Sequence, residues 1–118
     1  MVYKVMVDFE VEQGVLYLRL SNISQQPVFK VKIQFEPGFT GLSGKRNIHE
    51  MKVFQGIPFF APGKKFRILV DKFPVYLNRN EPTHFHSSVS YVDEFDELNE
   101  YDLEHNLDIY RDLGEMEY

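Results

Sequence analysis

The stretch YKVMVDFEVEQGVLYLRLSN, residues 3–22, reads as two strands joined by a tight turn. Tyr3, Val5, Val7, Phe9 and Val11 occupy alternate positions, with Lys4, Asp8, Glu10 and Glu12 between them. A strand turns successive side chains to opposite faces, so this period of two buries one face and wets the other. Gln13-Gly14 interrupts the pattern, and Leu16, Leu18 and Leu20 resume it around Tyr17 and Arg19. One apolar and one polar face per strand is the mark of antiparallel sheet packed on a single side.

The same rhythm continues outward. After the polar turn Ser24–Pro27, Phe29, Val31, Ile33 and Phe35 alternate with Lys30, Lys32 and Gln34. Pro37-Gly38 ends that run and 39–47 reads as a glycine-containing loop. Residues 48–55 fit either a short strand or a helical turn, and Phe59–Gly63 a tight turn built on Pro62-Gly63. Phe66, Ile68 and Val70 define a further strand, and 73–82, with two prolines, is irregular. Residues 85–92 form another strand with Val89 and Tyr91 on its core face. Asp93–Asn99 is the hairpin loop before a last strand carrying Tyr101, Leu103, His105, Leu107 and Ile109 inward. Six or seven short strands without an amphipathic helix bury their faces as a sandwich or small barrel. The chain is thus expected to be all-β, one domain over 1–110 with an acidic tail over 111–118.

Several stretches resemble immunoglobulin-like accessory domains. Leu20-Ser21-Asn22-Ile23-Ser24, followed by Pro27-Val28 and Val31-Lys32-Ile33, is similar to their L-x-N-x-S stretch and the strand after it. Phe60–Phe66 is similar to their P-G turn leading into a core strand, Val89–Asp93 to their V-x-Y-x-D strand end, and Leu107–Ile109 to their closing strand. The resemblance spans Leu16 to Ile109 and implies an antiparallel immunoglobulin-like sandwich of about seven strands. Such sandwiches occur in uncharacterised bacterial proteins and in adaptor-ear and cell-adhesion-related domains. The last hairpin lacks the usual glycine, and the absence of tryptophan and of a cysteine pair separates the chain from antibody domains.

Composition narrows the function classes. The chain has no cysteine, which excludes disulfides, thiolate metal sites and cysteine nucleophiles. No stretch approaches the roughly 20 apolar residues that span a bilayer, and no signal-peptide pattern opens the sequence. The expected location is cytoplasmic, unless an N-terminal anchor or signal has been removed. Charge is uneven: eleven of the 18 acids and one of the 13 bases lie from Asp93 onward. An acidic end over a mildly basic body suits a solvated face, self-association or a charged partner.

No motif in the chain carries catalysis. Gly38–Arg46 imitates a phosphate-binding loop, but Phe39 stands where its first glycine belongs and Arg46 where Ser or Thr does. Lys45 and Arg46 remain candidate loop contacts to an anionic partner. His84 and His86 share a strand face at the spacing of a β-strand metal site, and a register pairing Val89 with His105 sets Asp108 opposite His86. With Asp93 and Asp96 of the acidic hairpin these form a candidate metal or small-ligand surface, although exposed histidines near acids are the plainer reading. The hairpin lacks the D-x-D-x-D-G order of a calcium loop. His105 falls on the inner face and reads as a partly buried, hydrogen-bonded histidine rather than a catalytic base. Lys30, Lys32, Lys64, Lys65 and Arg67 form no convincing nucleic-acid footprint in an acidic protein. The expected function is a non-enzymatic interaction or structural domain without a cofactor. It would bind protein, or a second copy, through an edge strand such as Tyr3–Val11 or through end loops; the alternative is the His84/His86 ligand module.

Overall fold

A computed structural model describes residues 3–113 of the chain. Strand β1 (Val5–Glu12) turns back into β2 (Val15–Asn22) through Gln13 and Gly14, both left-handed at φ 51° and 79°. Two consecutive positive φ values suit the right-handed twist of a hairpin, and glycine accepts the second at little cost. Next come β3 (Val28–Glu36), the miniature hairpin β4 (Thr40–Gly41) and β5 (Arg46–Asn47), and the single turn α1 (Lys52–Gln55). Strands β6 (Ile57–Phe60) and β7 (Lys65–Lys72), helix α2 (Phe73–Asn78), and strands β8 (His84–Val92) and β9 (Leu98–Asn106) complete the order. A 3-10 turn, Leu107–Leu113, follows.

The strands form two antiparallel sheets, β1-β2-β7 and β6-β3-β8-β9, which face one another as a sandwich rather than a barrel. The interior is aromatic: Phe9 of β1 stacks on Phe85 of β8 at 5.1 Å, and Phe60 of β6 on Phe66 of β7 at 5.7 Å. Alternation predicts most of this core, since Val5, Val7, Phe9, Leu16, Leu18, Leu20, Val31, Ile33, Phe35, Val70, Val89 and Tyr91 are all buried.

Departures from the expected pattern have local causes. Lys30 is left-handed at φ 53° and the β3–β8 register shifts between Phe29 and Lys32, so a bulge reverses the parity there. Val28 therefore enters the core, and Phe29 packs outside against Phe59 at 5.6 Å. The last strand ends earlier than the alternation implies: Leu107 is buried, but Ile109 lies in the 3-10 turn and is exposed. Residues 48–55 are helical turns, and 73–78, read as irregular, is α2 with Pro74 in its first turn, where a missing N–H costs nothing. Of the expected tail 111–118, Arg111–Leu113 continue the 3-10 turn and the remainder lies outside the described residues.

The segment read as a loop, 39–47, is built into the core. Phe39 is 1% exposed, with its ring centre 5.8, 5.3 and 4.9 Å from those of Phe9, Phe35 and Phe85. Gly41 lets β4 approach β7: a Cβ there would sit 2.2 Å from the Val70 carbonyl oxygen. An ion pair between buried Asp71 and half-buried Arg79 anchors the same segment. Asp71 of β7 accepts from Arg79 Nη2 at 2.8 Å and from the Ser43 and Lys72 amides. Arg79 also donates to the Thr40 hydroxyl and carbonyl at 2.7 and 3.1 Å.

Asn22, in the stretch that carries the resemblance, is 1% exposed and fully bonded. Its amide donates to the Gln26 and Phe60 carbonyls, and its oxygen accepts from the Ser24 amide and hydroxyl. That asparagine ties the end of β2 in one sheet to the end of β6 in the other. Among the described residues, no helix is long and apolar enough to cross a membrane.

Candidate functional site

The predicted site residues separate into three places. His84 Nε2 meets Asp108 Oδ2 at 2.9 Å, and Asp108 Oδ1 accepts from Arg111 Nε at 2.7 Å. Both partners hold the Asp108 carboxyl below its ordinary range, Arg111 more strongly. His86 does not join them. The hairpin pairs Val89 with Tyr101, four residues from the register expected, which sets His86 against Glu104. The cause is the turn, in which Asp93 closes a short loop. Its Oδ1 accepts from the Phe95 and Glu97 amides and its Oδ2 from Asn99, while Asp96 takes the left-handed place of the missing glycine at φ 62°. Those bonds, led by the Glu97 amide, lower the Asp93 carboxyl pKa. Among the described residues, no three His, Asp or Glu side chains are grouped to hold a metal ion. Lys45 and Arg46 lie in and beside the β4–β5 turn; Lys45 borders an open hollow with Tyr17, Leu42 and Leu69.

His105 takes the place read for it. Its Nε2 lies 2.9 Å from the Ser87 hydroxyl and its ring packs on Phe9 and Phe85. Burial lowers its pKa, against the opposing pull of Asp8 and Glu104. A histidine kept neutral in the folded state but free to protonate near pH 6.5 when unfolded favours unfolding in acid. Stability is expected to fall as pH drops from about 6.5 toward the folded-state value. Urea titrations at successive pH values should show this fall, and His105→Gln should flatten it; an unchanged profile in the variant would assign the fall to other groups.

The four sheet edges differ sharply in how their backbone is treated. On β1 the odd residues turn their peptide groups outward, because even-numbered Lys4 bonds toward β2 through the Ile23 amide. Tyr101 Oη accepts from the Val5 N–H at 3.1 Å and donates to the Val5 carbonyl. Burial pushes the Tyr101 hydroxyl well above the usual tyrosine range, so it keeps the proton it donates. The Phe9 N–H is taken by Asp8 Oδ1 and its carbonyl by Tyr110 Oη at 2.6 Å. The Tyr3–Val11 edge, named above as a candidate binding edge, is thus half satisfied by side chains. The β6 edge is four residues long and contains Pro58, which has no N–H. At the C-terminal end of β7 the β4–β5 ribbon presses close, Gly41 lying against the Val70 carbonyl.

The β9 edge carries no such device. Odd residues bond to β8, as the Glu97 carbonyl and the Leu107 amide do at the two ends of the hairpin. Leu98, Glu100, Asp102 and Glu104 therefore aim their N–H and C=O groups away from the sheet. Among the described residues no further strand pairs with them. Their side chains stand on the exposed outer face, and none of the three carboxylates joins an ion pair among the described residues. Asp102 accepts only from the Ser88 hydroxyl, at 2.7 Å. Beside this edge the outer face is hollowed: 530 Å³ over Lys32, Gln34, Ser88, Ser90, Glu100 and Asp102, continuing toward His86 and Phe54.

A family model described as a domain of unknown function (DUF8453) matches residues 4–111. The chain belongs to that family. Neither a curated protein nor a solved structure matches it. The DUF8453 match runs through both sheets and includes the β9 edge, the Asp93 turn and the Tyr101 and Tyr110 caps.

Proposed function

We propose that this DUF8453 chain is a non-enzymatic protein-interaction domain, an immunoglobulin-like sandwich that binds an extended segment of a partner along β9. The observation behind it is the row of outward-facing peptide groups at Leu98, Glu100, Asp102 and Glu104, uncapped along its length among the described residues, whereas β1 is half capped, β6 is short and carries Pro58, and β7 is covered at its C-terminal end. Unpaired N–H and C=O groups are a template for another strand, and main-chain bonds then supply affinity. The immunoglobulin-like reading is supported by strand order. Strands β1, β2 and β7 correspond to A, B and E of such a sandwich, and β3, β8 and β9 to C, F and G. The ligand module around His84 and His86 has less support, since Asp108 is already neutralised by Arg111 and His86 stands apart.

Proline at position 102 tests the edge. The Asp102 N–H points outward, so Asp102→Pro removes a donor for the incoming strand without deleting a bond of the β8–β9 ladder. Extended peptides selected on the native chain should lose binding to Asp102→Pro while its melting curve stays cooperative. Selected peptides that bind both chains equally would end the edge reading.

A further inference from the structure

We infer that the segment added to β9 is basic, with Lys or Arg at alternate positions. This rests on the edge reading above and gives the partner its chemistry. An added strand continues the pleat, so every second residue shares the outer face with Glu100, Asp102 and Glu104, about 5 Å away between Cβ atoms. The carboxylates recur every second residue, the repeat of a strand's own side chains. Alternate lysines or arginines meet them one to one.

The other sheet shows why these acids differ from ordinary surface charge. On its outer face Glu10 is held by Arg19 and Arg67 at 3.3 and 3.0 Å, and Glu12 by Arg67 at 3.3 Å. Arg67 also lies 3.6 Å from the centre of the Tyr17 ring. Glu10 and Glu12 are thus neutralised within the domain, whereas the three acids of β9 have no such partner among the described residues and stand along an unpaired edge. A second copy is a poor occupant. Antiparallel pairing of two β9 strands about Asp102 sets Asp102 against Asp102 and Glu100 against Glu104, and like charges directly opposite destabilise. The same acids that block self-pairing favour a basic strand.

The test uses three synthetic peptides of about eight residues, a usual strand length, with Val alternating with Lys, Thr or Glu. Fluorescence anisotropy should rank them Lys, Thr, Glu, with on the order of tenfold between the first two, as expected for three opposed charge pairs. The triple variant Glu100→Lys/Asp102→Lys/Glu104→Lys changes only exposed side chains and should reverse that order. Should Lys and Thr peptides bind alike, and both be lost in Asp102→Pro, the edge stands and the basic partner falls. If the Lys peptide binds Asp102→Pro as well as the native chain, its attraction is diffuse and both readings fall, as they do if no peptide binds. If Asp102→Pro does not fold, amide hydrogen exchange on the native chain replaces it. Slowed exchange at Glu100, Asp102 and Glu104 with the Lys peptide supports the pairing, and unchanged exchange overturns it.

Discussion

Arg79→Ala should cost the domain about 3–5 kcal/mol, the usual penalty for leaving a buried charge without its partner. Asp71 is 5% exposed, and its carboxylate faces Arg79 at 2.8 Å. Removing the guanidinium leaves two backbone amides, Ser43 and Lys72, to hold that charge. It also frees the Thr40 carbonyl and hydroxyl, loosening the β4–β5 ribbon from β7. Arg79→Lys should recover only part of the loss, since an ammonium lacks the planar fork that reaches Asp71 and Thr40 together. The check is a urea titration of both variants beside Asp71→Ala and the double mutant. The double mutant should fall well short of the sum of the singles, because two removals break one network. A loss below about 1 kcal/mol for Arg79→Ala, within the range of an exposed ion pair, would mean that the pair is solvated.

Phe39→Ala is expected to cost about as much, 3–5 kcal/mol, through the cavity left when a large buried ring is truncated. Phe39 touches rings from both sheets, Phe9 on one side and Phe35 and Phe85 on the other. The gap opens where the sheets meet, and neither can close it alone. A matched truncation, Phe59→Ala, removes a ring that is 57% exposed and should cost far less. Similar midpoints for the two variants would refute the placement of Phe39 in the core.

The contrast between these two phenylalanines shows how much was legible in the sequence. Alternation finds faces, and it located β1, β2, most of β3 and the inward residues of β7 and β8. It cannot place a side chain from an irregular segment, so Phe39, Ile48 and Phe54 gave no periodic signal although all three are buried. At Lys30 the rule reverses, because a single left-handed residue shifts the parity of everything before it. The candidate site was half legible. The acids of the last strand and their alternation with Tyr101, Leu103 and His105 are plain in the sequence. Register and strand order are not local properties, however. The Asp93 turn moved the pairing by four residues and took His86 away from Asp108, and only the sheet order separates a capped edge at β1 from an open one at β9.

The tyrosine caps on β1 also bear on synthesis. Val5 is closed by a residue 96 positions later, and Phe9 by one 101 positions later. A nascent chain therefore carries its first strand unsealed until nearly the whole domain has emerged. Contacts of such long sequence separation close slowly, and an unpaired strand edge is prone to aggregate while it waits. The segment that completes the fold is thus also the one that ends its period of greatest exposure.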